Sequence, residues 1–194
     1  MQKICIFDNY DSFTYNLYHL LHEVNVKAEY TIIRNRDRTV FDLDFDVLFI
    51  SPGPMGPDQT GLLRELFITR IIPERIPAFG ICLGMQFLAS FFGGNIVKSS
   101  FPVHGRTVNV IHQGDDLFKG INKTFKAARY NSLEVITINH EVMRVLGREE
   151  ETGMIMALSH KILPLAGVQF HPESFLARFS FKLIRNFFKL YVEN

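Results

Sequence analysis

The sequence predicts an α/β protein: an open, mostly parallel sheet flanked by helices, with additional antiparallel edge strands in its second half. Three observations predict it. Short apolar runs alternate with amphipathic, helix-like segments through the first half. Each run stops abruptly in polar, Gly or Pro residues. Segments of the second half are instead short, β-prone and mixed in polarity, as strands with one solvated face are.

Ile4-Cys5-Ile6-Phe7 is an apolar run ended by Asp8-Asn9 and reads as a strand buried on both faces. From about Ser12 to Val24, residues Phe13, Leu17, Leu20, Leu21 and Val24 recur at helical spacing, with Asp11 or Ser12 as N-cap. Tyr30–Ile33 and Val47–Ile50 read as the next strands, the latter stopped by Ser51-Pro52-Gly53-Pro54. Leu62–Ile72 is helical and Pro73 closes it. Ala78–Cys82 is a fourth strand and Met85–Phe92 the helix after it. Thr107–Ile111, Val135–Ile138 and Ile155–Leu158 are the added strands, and Val168-Gln169-Phe170 a late one. A helix from about Ser174 to Tyr191 carries the stripe Leu176, Phe179, Leu183, Ile184, Phe187, Phe188 and Tyr191.

At 194 residues, a single domain spanning 1–194 is expected. A net charge of +1 gives no electrostatic footprint for nucleic acid or an anionic membrane, and no apolar run approaches a membrane span. Cys5 and Cys82, far apart in sequence, exclude a disulfide framework and a dense cysteine metal site, so a cytoplasmic location is expected.

Chemistry concentrates in three segments. In Phe79-Gly80-Ile81-Cys82-Leu83-Gly84-Met85-Gln86 a cysteine sits between strand and helix, framed by glycines at −2 and +2. This is the nucleophile elbow with Cys in place of Ser. A helix N-terminus under the sulfur favours thiolate, and the Leu83 N–H points where an oxyanion would form. A buried structural cysteine is the alternative for this motif alone; Cys5, with no glycine frame, is read as core. His171 and Glu173, in Gly167-Val168-Gln169-Phe170-His171-Pro172-Glu173-Ser174, offer a base and a carboxylate to orient it, although His-Pro-Glu alone also fits a surface turn. Ser51-Pro52-Gly53-Pro54-Met55-Gly56-Pro57 is a stiff loop that could bring a second oxyanion donor, or simply a turn. His19, His22, His140 and His160 read as surface residues.

Together these motifs resemble the class I (triad) glutamine amidotransferases, whose fold is flavodoxin-like. Phe7-Asp8-Asn9-Tyr10-Asp11-Ser12-Phe13-Thr14-Tyr15-Asn16 and Arg129-Tyr130-Asn131-Ser132-Leu133 are similar to one branch, the small subunit of anthranilate synthase and aminodeoxychorismate synthase. The resemblance implies catalytic residues Cys82, His171 and Glu173, and a glutamyl thioester intermediate. It implies that Gly53, Pro54, Met55, Leu83, Gln86, Ser132 and Leu133 hold glutamine or its oxyanion. The implied partners are L-glutamine and a chorismate-binding synthase subunit. This chain itself would carry no cofactor and no metal, while the partner would use Mg. The same chemistry serving another acceptor synthase, or a silent relative, remains open here.

The sequence departs from the branch at four places. Met55 stands where the branch has Gly, so a positive φ there would be strained. Met85 and Asn131 each replace a His. Phe175-Leu176-Ala177-Arg178-Phe179-Ser180 departs from the branch continuation, which, with His104-Gly105-Arg106, resembles the surface facing the synthase; Phe175 and Phe179 are therefore candidates for an interface.

Overall fold

A computed structural model describes residues 1–25, 27–174 and 179–193. The apolar runs of the first half form β1 (Lys3–Asp8), β2 (Glu29–Arg34), β3 (Val47–Ile50) and β4 (Ala78–Ile81). Helices α1 (Thr14–Val24) and α2 (Leu63–Leu66) lie between them, and α3 (Leu83–Phe91) follows β4. Then come β5 (Asn95–Lys98), β6 (Arg106–His112), β7 (Thr124–Arg129) and β8 (Leu133–Thr137). They are followed by β9 (Met143–Glu149), β10 (Ile155–His160), β11 (Leu165–Val168) and helix α4 (Ser180–Tyr191).

Nine strands form one sheet in the order β2-β1-β3-β4-β11-β10-β9-β6-β7. The first five pair in parallel, the flavodoxin-like 2-1-3-4-5 arrangement with β11 in the fifth place. From β11 outward the pairing is antiparallel. Of the expected extra strands, Thr107–Ile111 (in β6) and Ile155–Leu158 (in β10) extend the main sheet, whereas Val135–Ile138 falls largely in β8, which pairs with β5 as a separate two-stranded ribbon.

The period-two alternation of the strands sorts side chains into two cores. Ile4, Ile6, Val47, Phe49, Phe79 and Ile81 face α1 and α4, while Cys5, Phe7, Leu48, Ile50 and Ala78 face α2 and α3. The abundant phenylalanines are used here: Phe79 and Phe187 meet edge to face at 5.0 Å, and Phe49 lies 5.6 Å from Phe187. Cys5 is fully buried as expected, and burial pushes its thiol up to about 12.

Several boundaries differ from the sequence reading. α1 starts at Thr14 with no side-chain cap, because Asp11 instead accepts from the Phe13 N–H in a turn before the helix, and Asp8 accepts from the Thr14 hydroxyl. The α2 segment widens into a π-helical turn over Phe67–Ile71 before Pro73. α3 starts at Leu83, two residues early. β11 spans Leu165–Val168, so Gln169 and Phe170 lie beyond its end. Phe175, Leu176, Ala177 and Arg178 lie outside the described residues, and α4 begins at Ser180. Phe179 is not free for an interface over its whole ring: it packs 4.3 Å from Phe125 and 5.4 Å from Phe170. His160, expected at the surface, is buried against Phe92, and its Nδ1 accepts from the Ile162 and Leu163 amides.

Candidate active site

β4 and β11 run in parallel and in register, with Ile81 opposite Val168. Both strands end there, and the next residues of each emerge at the carboxyl edge of the sheet, where α/β proteins gather their sites. Cys82 follows β4 and bonds back through its N–H to the Val168 carbonyl at 2.8 Å. Gln169, Phe170 and His171 follow β11.

Cys82 has φ 51 and ψ −100, a left-handed conformation that is strained for a residue with a Cβ. Its carbonyl accepts the first helical bond, from Gln86 N at 3.0 Å, so the sulfur-bearing residue is itself the N-cap of α3. Leu83 is then the first helical residue, and its N–H has no partner within the helix. Close approach demands the flanking glycine: a Cβ on Gly84 would lie 2.7 Å from the Ile50 carbonyl oxygen.

The imidazole of His171 is buried, and its Nδ1 lies 2.6 Å from Glu173 Oε1. Pro172 links the two, and its carbonyl accepts from the Ser180 hydroxyl, which ties this turn to the start of α4. His171 Nε2 has no well-directed hydrogen bond among the described residues, but the ring interacts with the Cys82 thiol. Burial is the strongest single effect and opposes protonation. The Glu173 charge, the neighbouring Cys82 side chain and the Glu173 hydrogen bond together outweigh it, so His171 is held well above its ordinary value.

A cavity of about 290 Å³ opens over these groups, lined by Tyr10–Phe13, Pro52–Pro54, Cys82, Tyr130 and His171. Gly53 fits against the elbow: a Cβ there would lie 2.8 Å from both Asn9 Cβ and Leu83 Cδ2. Met55 is not among the residues of positive φ, so the anticipated strain is absent. The structure therefore brings Cys82, His171, Glu173, Gly53, Pro54 and Leu83 to one place. Gln86 and Leu133 lie in a buried polar network beside it, in which Gln86 Nε2 donates to the Leu133 carbonyl at 3.0 Å. Met55 and Ser132 do not line the cavity. Asn131 accepts from Arg129 and donates to the Leu133 carbonyl at 2.8 Å, which gives that departure from the branch a local role. Among the described residues no cluster of three or more His, Cys, Asp or Glu could hold a metal ion.

Sequence reasoning missed part of the wall. Phe13 and Tyr130 cover the imidazole, with ring centroids 5.7 and 4.8 Å from it. Asp11 also lines the cavity, and burial raises its carboxyl above the ordinary range. Asp11 and Phe13 follow the end of β1, a strand the sequence shows, which was the available signal for them; Tyr130 follows β7, which the sequence does not show.

The family described as class-I glutamine amidotransferase matches residues 5–190. This chain is a class-I glutamine amidotransferase. It is 38% identical over 192 residues to "Aminodeoxychorismate/anthranilate synthase component 2" of Bacillus subtilis, covering 97% of this chain and 96% of that one. It is 40% identical over 187 residues to "Anthranilate synthase component 2" of Azospirillum brasilense, covering 95% and 94%. Among solved structures, a glutamine amidotransferase of Thermotoga maritima matches with a TM-score of 0.78 at 14% identity, covering 100% of this chain and 99% of that one, a likeness of fold. No helix among the described residues of this amidotransferase is long and apolar enough to cross a membrane.

Proposed function

We propose that this amidotransferase hydrolyses L-glutamine through Cys82, His171 and Glu173 and delivers ammonia to a chorismate-binding synthase subunit that makes anthranilate or 4-amino-4-deoxychorismate. The observation that carries the reading is the in-register end of β4 and β11. It sets the cysteine beside a buried histidine whose Nδ1 lies 2.6 Å from a carboxylate.

Cys82 sulfur attacks the side-chain amide carbon of glutamine while the thiol proton passes to His171. The carbonyl oxygen takes the negative charge, facing the N–H groups of Leu83 and Gly53. His171 returns the proton to the leaving nitrogen and ammonia departs from a glutamyl thioester. Water, deprotonated by His171, then attacks the thioester, and glutamate leaves with the sulfur regenerated. Glu173 holds the ring through Nδ1 and stabilises the imidazolium. Phe13 and Tyr130 shield the ring from water, which keeps that charge pairing strong. Pro54 is assigned to glutamine binding, with Gln86 and Leu133 acting from the adjoining network; Met55 and Ser132, which the resemblance also implies, lie outside the lining of the cavity. No cofactor or metal is assigned to this chain, and the synthase subunit would use Mg.

The experiment is Cys82→Ser in the complex with the partner captured from the native cell extract. Glutamine-dependent synthesis should vanish while ammonia-dependent synthesis persists. Loss of both, with assembly intact, would refute the division of labour; capture of a synthase that does not bind chorismate would refute the branch.

A further inference from the structure

We propose that Gln169 is a further catalytic residue: its side-chain amide donates to the Cys82 sulfur and stabilises the attacking thiolate. The inference rests on Cys82 being the nucleophile, as proposed above.

Gln169 Nε2 lies 3.4 Å from Cys82 Sγ, and the residue is fully buried. The register explains its place. Ile81 opposes Val168, so the first residues past each strand are Cys82 and Gln169. No water can take over the contact at 0% exposure.

The amide's orientation is dictated by a chain of groups whose polarity is fixed. Arg129 can only donate. It donates to Glu149 Oε2 at 2.7 Å, to the Phe101 carbonyl at 3.1 Å and to Asn131 Oδ1 at 2.9 Å. Asn131 must therefore turn its nitrogen toward the Leu133 carbonyl, at 2.8 Å. That carbonyl can only accept, so Gln86 also presents nitrogen to it, at 3.0 Å. The second hydrogen of the same nitrogen goes to Gln169 Oε1, at 3.0 Å. Gln169 is left with its N–H groups facing the sulfur. Flipping any amide in the chain would set donor against donor or acceptor against acceptor.

The chemistry uses this polarity. When the thiol proton moves to His171, the sulfur becomes an anion, and an N–H donor to an anion is roughly twice as strong as one to a neutral acceptor. The thiolate is favoured over the thiol by the difference, and no charge is added that a later step must remove. The same chain passes through the Leu133 carbonyl, so the segment assigned to hold glutamine and the sulfur share one set of hydrogen bonds. Arg129 and Asn131 are positioning residues in this scheme.

The test compares wild-type chain, Gln169→Glu and Gln169→Leu. Gln169→Glu keeps the shape and the acceptor for Gln86 but removes the donor to sulfur. Iodoacetamide alkylation of Cys82 at neutral pH should slow about ten- to a hundredfold in both variants, the range expected for losing a hydrogen bond to a charged group. The kcat for glutamine should fall by a similar factor with KM within about twofold. Variants that alkylate and turn over like the wild type would overturn the proposal. A wild-type chain that hydrolyses glutamine without acylation at Cys82 would instead overturn the nucleophile assignment. If neither variant folds, the wild type decides: blocking Cys82 with iodoacetamide should shift the Gln169 side-chain amide resonance, and an unmoved resonance would refute the contact.

Discussion

The buried pair Arg129–Glu149 offers the sharpest test of how the site is supported. Arg129 is 1% exposed and Glu149 5%, and their charged atoms are 2.7 Å apart. Arg129→Met keeps most of the volume but leaves the Glu149 carboxylate with one described side-chain partner, the Thr152 hydroxyl at 2.6 Å. Breaking a buried pair from one side costs about 3–5 kcal/mol, because the remaining charge is stranded. The Phe101 carbonyl and Asn131 Oδ1 lose their donor as well. At about 2–4 °C per kcal/mol for a chain of this size, the thermal midpoint should fall on the order of 10 °C. The double variant Arg129→Met with Glu149→Leu strands no charge and should recover the part of the loss due to the stranded carboxylate, leaving about 1–3 kcal/mol for each buried acceptor still unpaired. Thermal and urea unfolding of both single variants and the double completes the cycle. A single variant that loses less than about 1 kcal/mol, or a double variant no better than the single, would refute the reasoning.

Three further outcomes are expected. Gly84→Ala should destabilise the chain by about 1–3 kcal/mol, since its Cβ would meet the Ile50 backbone at 2.7 Å; unchanged urea unfolding would contradict that contact. Glu173→Gln removes the charge that sustains the raised His171, so the glutaminase kcat should drop about 10²–10⁴-fold, and a loss confined to KM would argue against an orienting role. At about pH 8 iodoacetamide should label Cys82 but not Cys5 in the folded chain, because a thiol raised to about 12 is ionised there on the order of one part in 10⁴. The same raised value means the folded state disfavours the Cys5 thiolate. Its contribution to stability is whole below the ordinary thiol value and is lost as pH rises toward about 12, a decline that urea titrations across that window would register.

The parallel half of the fold was legible because β3 and β4 are buried at every position, so their sequences carry no polar residue to blur the pattern. The elbow was legible because close packing leaves glycine as the only residue that fits beside Cys82. β5 was not: among the described residues Asn95–Lys98 pairs with β8 alone and is half exposed, and only its Ile96 packs against the core, too little to impress a pattern on four residues. β7 was hidden by Ala127-Ala128, small residues of weak strand preference that are nonetheless fully buried. Cys82, His171 and Glu173 could be read because they carry reactive groups. Gln169 could not, because an amide inside an apolar strand run acquires its role only from the register of β4 against β11. Tyr130 and Phe13 likewise read as ordinary aromatics until the sheet termini bring them over His171. Met55 failed as a warning because the loop turns without a positive φ at that residue.

The seat of β11 between β4 and β10 has a consequence for how the molecule comes into being. Four parallel strands are complete once Ile81 is made, but the fifth begins only at Leu165, after the whole antiparallel half has been synthesised. Closing so long a loop adds little to the equilibrium cost, since each doubling of length adds only about 0.6 kcal/mol. It weighs on the rate, because contacts remote along the chain form late. Until that strand slots in, Cys82 has neither Gln169 nor His171 beside it. On a chain emerging from the ribosome, the groups proposed to act with Cys82 therefore reach it together, in one late step that coincides with completion of the sheet.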